Sequence, residues 1–374
     1  MTTLENSPVT TPQPPPVLSA LGDPAAMMLG GPPAGSGAET LGAFDRRVGD
    51  HGAVSGTDVL SAVWASGLQG RGGGGFPLWR KLDAARQASA APELIVNCSE
   101  SEPASRKDRT LCASRPHTVL EGAAAIARAI GAPEVVLHVH GDAVDSLAAF
   151  GTALRERAGR HGDPRWRLSQ GPGGYVSGEA SAVARFVHGG PALPLASPLP
   201  LAHQGPSGRP TVVSNAETAA HVAHILSVGV DAWRAAGTET HPGPQLLTLV
   251  GAVPRPGRVV EVAGLATIGE VLASAGVPAP PAAVLIGGYA GTWLEGTVAW
   301  QTPMEPRALR CVGAARGCGL IGVLPHGACG LVETRRLTEY LAGESAGQCG
   351  PCIYGLPALA EAFTRLAHGK SGRW

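Results

Sequence analysis

The sequence predicts an α/β protein whose largest domain is built on a mostly parallel sheet. Short apolar runs typical of buried strands alternate with helix-length segments from residue 57 to residue 216 and beyond. This alternation gives parallel sheets with helices on both faces. Several of the strands lead directly into polar or glycine-rich turns. Such turns meet at the carboxyl edge of a parallel sheet, where ligands bind.

Local patterns predict the individual elements of this domain. Pro77 suits the first turn of a helix, because its φ is preset and its missing N–H is not needed there. Glu93 to Asn97 is a short apolar run, as expected of a buried strand. The predicted helices are residues 57–66, 77–87, 117–130 and 143–158, with two more beginning near residues 178 and 216, and the predicted strands are residues 93–97, 134–140, 166–169 and 211–213.

The pattern changes on either side of this domain. Residues 1–40 are rich in Pro, Gly, Ser and Thr with few apolar anchors, which predicts a disordered tail. After a Pro/Gly break near residue 241, short β-like runs at 245–251, 258–262 and 283–286 surround one helix at 268–275. The predicted organisation is therefore a tail (1–40), an α/β domain (41–240), a β-rich module (241–332) and a helical region (333–374).

The composition excludes several classes of function. The 374 residues include 29 Lys and Arg against 29 Asp and Glu, whereas nucleic-acid binding needs a basic surface. No apolar run reaches the roughly 18 residues of a membrane span. The N-terminus has neither a basic region nor an apolar core, and the seven cysteines are an odd number. These features indicate a cytoplasmic protein whose cysteines serve packing, redox or metal chemistry.

A glycine-rich loop is the first candidate for a binding site. Five of the six residues from Gly70 to Gly75 are glycine, and such a loop can wrap a phosphate through its backbone N–H groups. The preceding segment is helical, so the loop does not fit a dinucleotide fingerprint, and a plain flexible turn remains an alternative. Lys81, one of three lysines, lies on the next predicted helix. It could contact a phosphate or an electron-rich ring, or simply face solvent.

Three polar turns follow predicted strands. Asn97 to Pro103 and Tyr175 to Glu179 suit a ligand with many hydrogen-bonding atoms, although helix caps would also explain them. Ser214 and Glu217 have the spacing of a capping box, with Ser214 as N-cap. His138 and His140 share one strand face and favour a hydrogen-bonded core over a metal site.

The cysteines offer only part of a metal site. Cys349 and Cys352 have the C-x-x-C spacing of metal ligands, but a tetrahedral or cubane site needs four. Cys311, Cys318 and Cys329 are irregularly spaced and fit packing positions.

Taken in order, these motifs resemble the FMN-carrying, NADH-oxidising subunit of respiratory complex I and the related subunits of NAD-linked hydrogenases and formate dehydrogenases. The resemblance covers roughly residues 56–356. Its motifs are Gly70–Pro77 with Lys81, Asn97–Pro103 with Lys107–Arg109, Tyr175–Glu179, Pro210–Thr218 and Glu344–Cys352. It implies a Rossmann-like FMN domain, a β-grasp (ubiquitin-like, soluble-ligand-binding) module and a helical domain that binds a [4Fe–4S] cluster.

The resemblance also implies roles for individual residues. Phe76 would lie beside the bound dinucleotide, Lys81 would contact FMN and Glu102 would face NADH. Arg71 and Arg80 are the candidate contacts for the extra phosphate of NADPH. The complete set of implied cofactor contacts is Gly70, Arg71, Gly72, Gly73, Gly75, Phe76, Lys81, Asn97, Ser99, Glu100, Ser101, Glu102, Tyr175, Gly178, Glu179, Ser214, Asn215 and Thr218, with Cys349 and Cys352 as cluster ligands.

The chain departs from the family pattern at several of these positions. Ser99 and Ala180 replace acids, which makes the pocket less negative and is expected to raise the flavin potential, and Ser214 replaces an Asn. Ala346 stands at the first cluster cysteine, and the fourth lies well beyond Cys352, after which only 22 residues remain. We therefore expect a short, incomplete C-terminal helical domain.

The expected function is an FMN-dependent oxidoreductase of the NADH dehydrogenase type. It would pass hydride from NADH to FMN and then single electrons to an iron–sulfur centre, its own or that of an iron–sulfur subunit or ferredoxin-like partner. Hydride transfer depends on cofactor positioning, so no catalytic triad is needed. The chain would be cytoplasmic or peripheral to a membrane complex. The alternative is a non-enzymatic remnant acting as an assembly or binding subunit.

Overall fold

The computed structural model describes residues 19–21, 28–31, 37–197 and 199–369. The helices are α1 (Leu41–Arg47), α2 (Gly56–Ser66), α3 (Leu78–Arg86), α4 (Lys107–Ser114), α5 (Pro116–Ile130), α6 (Val144–Glu156), α7 (Ala180–Val187), α8 (Ala216–Val228), α9 (Val230–Ala235), α10 (Ile268–Ser274), α11 (Gly296–Gln301), α12 (Pro306–Cys311), α13 (Gly330–Gly343) and α14 (Leu356–Ala367). The strands are β1 (Ser19–Leu21), β2 (Glu93–Cys98), β3 (Glu134–His140), β4 (Arg165–Gly171), β5 (Thr211–Asn215), β6 (Gln245–Gly251), β7 (Arg258–Val262), β8 (Ala283–Ile286), β9 (Thr292–Glu295) and β10 (Leu320–Leu324).

The larger domain contains a four-stranded sheet in the order β4-β3-β2-β5, with every pairing parallel. Helices α5 and α8 pack so tightly that a Cβ on Gly122 would come within 1.7 Å of the Ala219 carbonyl oxygen. On the other face, Val183 and Ala184 of α7 pack against Ile95 and neighbouring strand residues. The predicted α/β class with a mostly parallel sheet is confirmed.

The second sheet has six described strands in the order β1-β7-β6-β10-β8-β9. Strand β10 runs parallel to β6 and antiparallel to β8, whereas the pairs β6–β7 and β8–β9 are antiparallel. Helix α10 lies over this sheet, with Ile268 and Leu272 fully buried in its core. Strand β10 is not among the predicted β-like runs, although Leu320–Leu324 is a short apolar segment, and it pairs with β6 across about 70 residues.

Part of the N-terminal region is ordered, which corrects the expectation of a disordered tail over residues 1–40. Strand β1 pairs in parallel with β7. Met28 is fully buried, and the backbone N–H groups of Met28 and Leu29 each donate a 2.8 Å hydrogen bond to the carboxylate of Glu261. A buried acceptor on the second sheet therefore holds this segment, although its composition is typical of disorder. Residues 1–18, 22–27 and 32–36 of the predicted tail lie outside the described part.

The helical region starts slightly before its predicted boundary, at Gly330. Helices α13 and α14 pack against each other, joined through a π-helical turn at Pro351–Gly355. Among the described residues, no helix is long and apolar enough to cross a membrane.

Candidate functional site at the carboxyl edge of the parallel sheet

The polar turns predicted from the sequence meet at one edge of the parallel sheet. Asn97 and Asn215 are register partners at the carboxyl ends of β2 and β5. The Asn97 side-chain amide donates a 2.8 Å hydrogen bond to the backbone carbonyl of Gly178, and the Ser99 hydroxyl donates to Asn97 Oδ1 at 2.6 Å. The turn after β2 is thereby joined to the turn that precedes α7.

Glycine at position 178 allows this close approach. A Cβ there would come within 2.4 Å of Ser101 Oγ and 3.2 Å of Ser99 Oγ. Gly178 is therefore required by packing between two turns that lie about 80 residues apart in the chain.

The glycine loop faces the same edge and reaches towards the second sheet. The Gly70 N–H donates to the Phe76 carbonyl at 2.9 Å, which closes the loop. The Arg71 N–H donates to Thr218 Oγ1 at 2.9 Å, and Gly72 lies against Asn215. Gly73 has a φ of +108°, a value that side chains rarely adopt. The loop therefore presents backbone in a conformation that other residues would not hold.

The guanidinium of Arg71 turns away from the open side of this loop. It is fully buried, donates to the Pro242 carbonyl at 2.7 Å and contacts the ring of His241. Burial, together with Arg316, lowers the pKa of Arg71 to about 9. Arg71 thus joins the loop to the start of the second module and does not present a free cation, whereas Arg80 is exposed and lies 5.4 Å from the Trp79 ring centroid.

Lys81 extends from α3 to the end of β5. Its ammonium donates a 3.3 Å hydrogen bond to the carbonyl of Val213, next to Ser214. Burial lowers the pKa of Lys81. The hydroxyl oxygen of Ser214 is buried and has no hydrogen-bond partner among the described residues. A cation and an unpaired hydroxyl therefore lie beside the converging turns.

The capping box predicted at this position is shifted by one residue. Asn215, not Ser214, is the N-cap of α8, and its side chain accepts the Glu217 N–H at 3.0 Å. Glu217 does not fold back onto the N-cap but points into the domain. The sequence pattern S-x-x-E is misleading here because β5 continues to Asn215 before the helix starts.

A buried ion network supports the turns from below, and sequence reasoning missed its function. The Lys107 ammonium lies 2.9 Å from the carboxylate of Asp108 and 2.9 Å from that of Glu217, and all three side chains are buried. Burial alone would lower the pKa of Lys107, but these carboxylates raise it overall. Asn215 donates to Asp108 at 2.8 Å, so the network fixes an edge residue. In the sequence, Lys107–Arg109 is recognisable only as part of a family resemblance.

Glu100 and Glu102 have different roles after β2. Glu100 adopts a φ of +47° and accepts the backbone N–H groups of Asp108 and Arg109 at 3.0 and 2.9 Å. Glu102 instead accepts the Tyr289 N–H of the second module at 3.2 Å. Burial raises the pKa of Glu102 to about 7, although the Tyr289 N–H acts in the opposite direction.

Two predicted contacts also have structural roles. Glu179 is the N-cap of α7 and accepts the N–H groups of Ser181 and Ala182 at 2.8 and 3.0 Å. The Tyr175 N–H donates to Glu344 at 2.6 Å, which attaches the C-terminal region to this turn. His138 is buried and lies 3.3 Å from Ser169 Oγ, and burial lowers its pKa to about 4, as expected of a core histidine.

Cys349 and Cys352 lie apart from any further metal ligands. Cys349 is exposed and Cys352 half-buried. Among the described residues, no group of three or more His, Cys, Asp or Glu side chains could hold a metal ion. Position 346 is Ala in the loop that leads to this pair. The described residues therefore do not fit a complete [4Fe–4S] site within one chain.

Comparisons with known proteins agree with this arrangement. The family description "Nuo51 FMN-binding domain" matches residues 63–224, and "NADH-ubiquinone oxidoreductase-F iron-sulfur binding region" matches residues 333–373. The chain is 32% identical over 336 residues to the F subunit of NADH-quinone oxidoreductase from Mycobacterium tuberculosis (strain ATCC 25618 / H37Rv), covering 84% of this chain and 74% of that protein. The chain belongs to the family of NADH-quinone oxidoreductase F subunits. The corresponding protein of Streptomyces coelicolor is 30% identical over 349 residues, with 88% and 78% coverage.

Two solved structures of a hydrogenase are also similar to this F-subunit homologue. A crystal structure of NAD+-reducing [NiFe]-hydrogenase in the H2-reduced state matches with a TM-score of 0.79 and 32% identity. The air-oxidized state matches with a TM-score of 0.83 and 29% identity. The alignments cover 86% and 96% of this chain, which spans only 56% and 60% of the hydrogenase chains. The expected family resemblance is thus confirmed.

Proposed function

We propose that this F-subunit homologue is an NADH-oxidising flavoprotein that transfers hydride from NADH to FMN and passes electrons on to an iron–sulfur centre. The observation that carries the proposal is the convergence of the glycine loop and two polar turns at one sheet edge, within the region that matches the FMN-binding domain. Ligands of α/β proteins bind at this edge.

The residues at this edge fit FMN. Gly72 and Gly73 are exposed and leave backbone open to a ring or phosphate, and Ser214 Oγ is a buried hydroxyl without a hydrogen-bond partner among the described residues. Bound FMN would accept a hydride and release electrons singly. Asn97 and Lys81 would orient it through hydrogen bonds, and the Lys81 cation would favour its electron-rich reduced form.

We assign the NADH side to the face between the two modules. Phe76 is about half exposed beside the glycine loop and offers a ring for a nucleotide base or nicotinamide to stack on. Glu102 borders the same face through Tyr289. The guanidinium of Arg71 is buried and bonded to Pro242, so only Arg80 remains as a candidate cation for the extra phosphate of NADPH. We propose NADH, which needs no such cation, as the substrate.

The electron acceptor is proposed to lie on a partner. The described residues supply two thiolates, which do not complete a cluster. The relatives are parts of larger assemblies by name, so an iron–sulfur subunit or ferredoxin-like protein is the expected partner. We place this assembly in the cytoplasm, where reduced cysteines persist.

We further propose that the second module is a β-grasp fold that acts as a docking and spacing element. Its support is the strand order β7-β6-β10-β8-β9, with the parallel pair β6–β10 in the centre and helix α10 packed across the sheet.

The visible spectrum of the purified full chain tests the proposed function. After FMN is added and excess removed, we expect one FMN per chain and bleaching of the oxidised flavin band on anaerobic addition of NADH. A chain that stays colourless after incubation with FMN would contradict the proposal. It would favour a non-enzymatic assembly protein, for which the replacements Ser99, Ala180 and Ala346 are the supporting observations.

A further inference from the structure

The segment Cys349-Gly350-Pro351-Cys352 forms the start of the last helix. Residues 350–367 are helical throughout, first as a π-helical turn and then as α14, and Cys349 directly precedes them. The Cys349 carbonyl accepts the Ile353 N–H at 2.9 Å, so both cysteines belong to the first turn. This position follows from Pro351, which is favoured in the first turn of a helix.

The geometry of this turn suits a disulfide. Residues three apart in a helical turn have Cα atoms about 5 Å apart, which lies within the roughly 4.4–6.8 Å that disulfides span. The two sulfurs also differ in access, since Cys349 is exposed and Cys352 half-buried. An exposed attacking cysteine followed by a more buried resolving cysteine is the arrangement of C-x-x-C redox motifs.

The same cysteines lack what a cluster needs. A cubane requires four ligands, and the described residues contain no third candidate ligand near this pair. Ala346, in the preceding loop, has no side-chain atom that can bind iron. Two cysteines supply only half of the ligands of a cluster, but two thiols are all that a dithiol–disulfide couple requires.

The cysteine pair is fixed close to the proposed flavin edge. Glu344 accepts the Tyr175 N–H at 2.6 Å, and Ser345 Oγ donates to the Cys352 carbonyl at 2.9 Å. Gln348 donates to the Pro194 carbonyl at 3.0 Å. Thus the loop that carries the cysteines contacts the Tyr175 turn.

We propose that Cys349 and Cys352 form a reversible dithiol–disulfide couple that exchanges an electron pair with an external disulfide. The Cys349 thiolate attacks one sulfur of that disulfide, its S–S bond breaks, and one thiol leaves. The Cys352 thiolate then attacks the Cys349 sulfur, and the second thiol leaves. The pair has lost two electrons and two protons, and the external disulfide has gained them.

Return to the dithiol requires a reductant. NADH supplies one hydride, and one proton comes from solvent, so that NADH, a proton and the disulfide give NAD+ and two thiols. This return rests on the proposed function, because the flavin would carry the electrons between NADH and the sulfurs. The couple itself needs no flavin.

Thiol counting on the full chain tests the couple. The protein is equilibrated anaerobically in mixtures of reduced and oxidised glutathione, quenched with acid, alkylated and analysed by mass spectrometry. We expect Cys349 and Cys352 to lose alkylation together, with their peptide lighter by two hydrogens. Insulin, which contains protein disulfides, serves as a second oxidant. Faster oxidation of the pair by glutathione disulfide would identify a small disulfide as the preferred partner, and faster oxidation by insulin would identify a protein disulfide.

Variants distinguish the couple from general thiol oxidation. Cys349→Ser and Cys352→Ser should abolish the internal disulfide and leave a glutathione adduct on the remaining cysteine. Cys311→Ser and Cys329→Ser remove exposed cysteines outside this helix and should leave the transition unchanged.

Two results would overturn the proposal. In one, both Cys349 and Cys352 remain free thiols and are alkylated at every glutathione ratio that oxidises a reference C-x-x-C protein. The other is retention of four irons per chain after incubation with ferrous iron and sulfide, lost in Cys349→Ser. Neither measurement uses FMN, so a failure of flavin binding is distinguished from a failure of the couple.

Discussion

The Lys107 ammonium lies 2.9 Å from the Glu217 carboxylate, and neither side chain is accessible to solvent beyond 2%. This ion pair joins the helix that follows β2 to the helix that follows β5. Because Asp108 shares the same ammonium and also accepts the Asn215 amide, the pair positions the edge where FMN is proposed to bind.

Removing the cation should therefore destabilise the whole domain. Lys107→Met removes the cation that two buried carboxylates share, which costs about 3–5 kcal/mol in the free energy of unfolding. Urea denaturation followed by circular dichroism measures this cost. Arg365→Met, which removes an exposed cation on α14, is the matched control and should change stability by at most about 0.5 kcal/mol.

The double variant Lys107→Met/Glu217→Gln identifies the cause. Neutralising Glu217 removes one unpaired charge, so the double variant should be more stable than Lys107→Met alone. If the double variant were instead less stable than the wild type by the sum of the losses in Lys107→Met and Glu217→Gln, packing rather than charge would explain the loss.

The raised pKa of Glu102 predicts that the free energy of unfolding depends on pH. Burial raises its pKa from 4.5 to about 7. The folded state therefore holds an extra proton between about pH 4.5 and 7, and the stability from this group is lost as pH rises through that window. Relative to Glu102→Gln, the wild type should lose about 3 kcal/mol between pH 4.5 and 8.

Chemical denaturation of both proteins at pH 5, 6, 7 and 8 measures this difference. The comparison cancels the histidines, whose lowered pKa values produce the opposite trend. His221, for example, has a pKa lowered to about 3 by burial, so its contribution grows with pH up to its unfolded value. A constant difference between wild type and Glu102→Gln would contradict the assignment.

Lys81 should contribute to FMN binding and to the flavin potential. Lys81→Met keeps the aliphatic stem but removes the cation beside Ser214, so we expect at least tenfold weaker FMN binding, or about 1.4 kcal/mol, and a lower midpoint potential. Fluorescence titration and a dye-coupled redox titration measure the two effects. Arg80→Met changes the adjacent, exposed cation and should leave FMN affinity within about twofold. Equal FMN affinities for the two variants would argue against a role of Lys81.

Local patterns are sufficient to predict most elements around the site. Strand β2, helix α5 and helix α8 each follow from a short apolar run or a long apolar periodicity, and their predicted bounds differ from the structure by at most a residue at the start. The residues that lead out of these elements can therefore be placed at one edge, as the Asn97–Asn215 pairing requires.

Tertiary contacts explain what the sequence could not predict. The inward turn of Arg71 depends on His241 and Pro242, which lie 170 residues away. The burial of Met28 depends on Glu261, and α4 resembles a polar loop in sequence because its buried Lys107 and Asp108 are residue types of exposed positions. Such pairings cannot be recognised until both partners have been placed in space.

Gly178 provides the most direct test of the site's geometry. In Gly178→Ala the new Cβ would lie 2.4 Å from Ser101 Oγ and 3.2 Å from Ser99 Oγ, so the two turns must separate. We expect the domain to fold and FMN affinity to fall at least tenfold, because the Asn97 amide would lose its 2.8 Å contact to the Gly178 carbonyl. Gly151→Ala is the control, since the nearest atom to its Cβ is Arg155 at 3.9 Å and helix α6 favours Ala. Fluorescence titration with FMN, with circular dichroism to confirm folding, distinguishes the variants. Wild-type FMN affinity in Gly178→Ala would show that the cofactor does not depend on the contact between these turns.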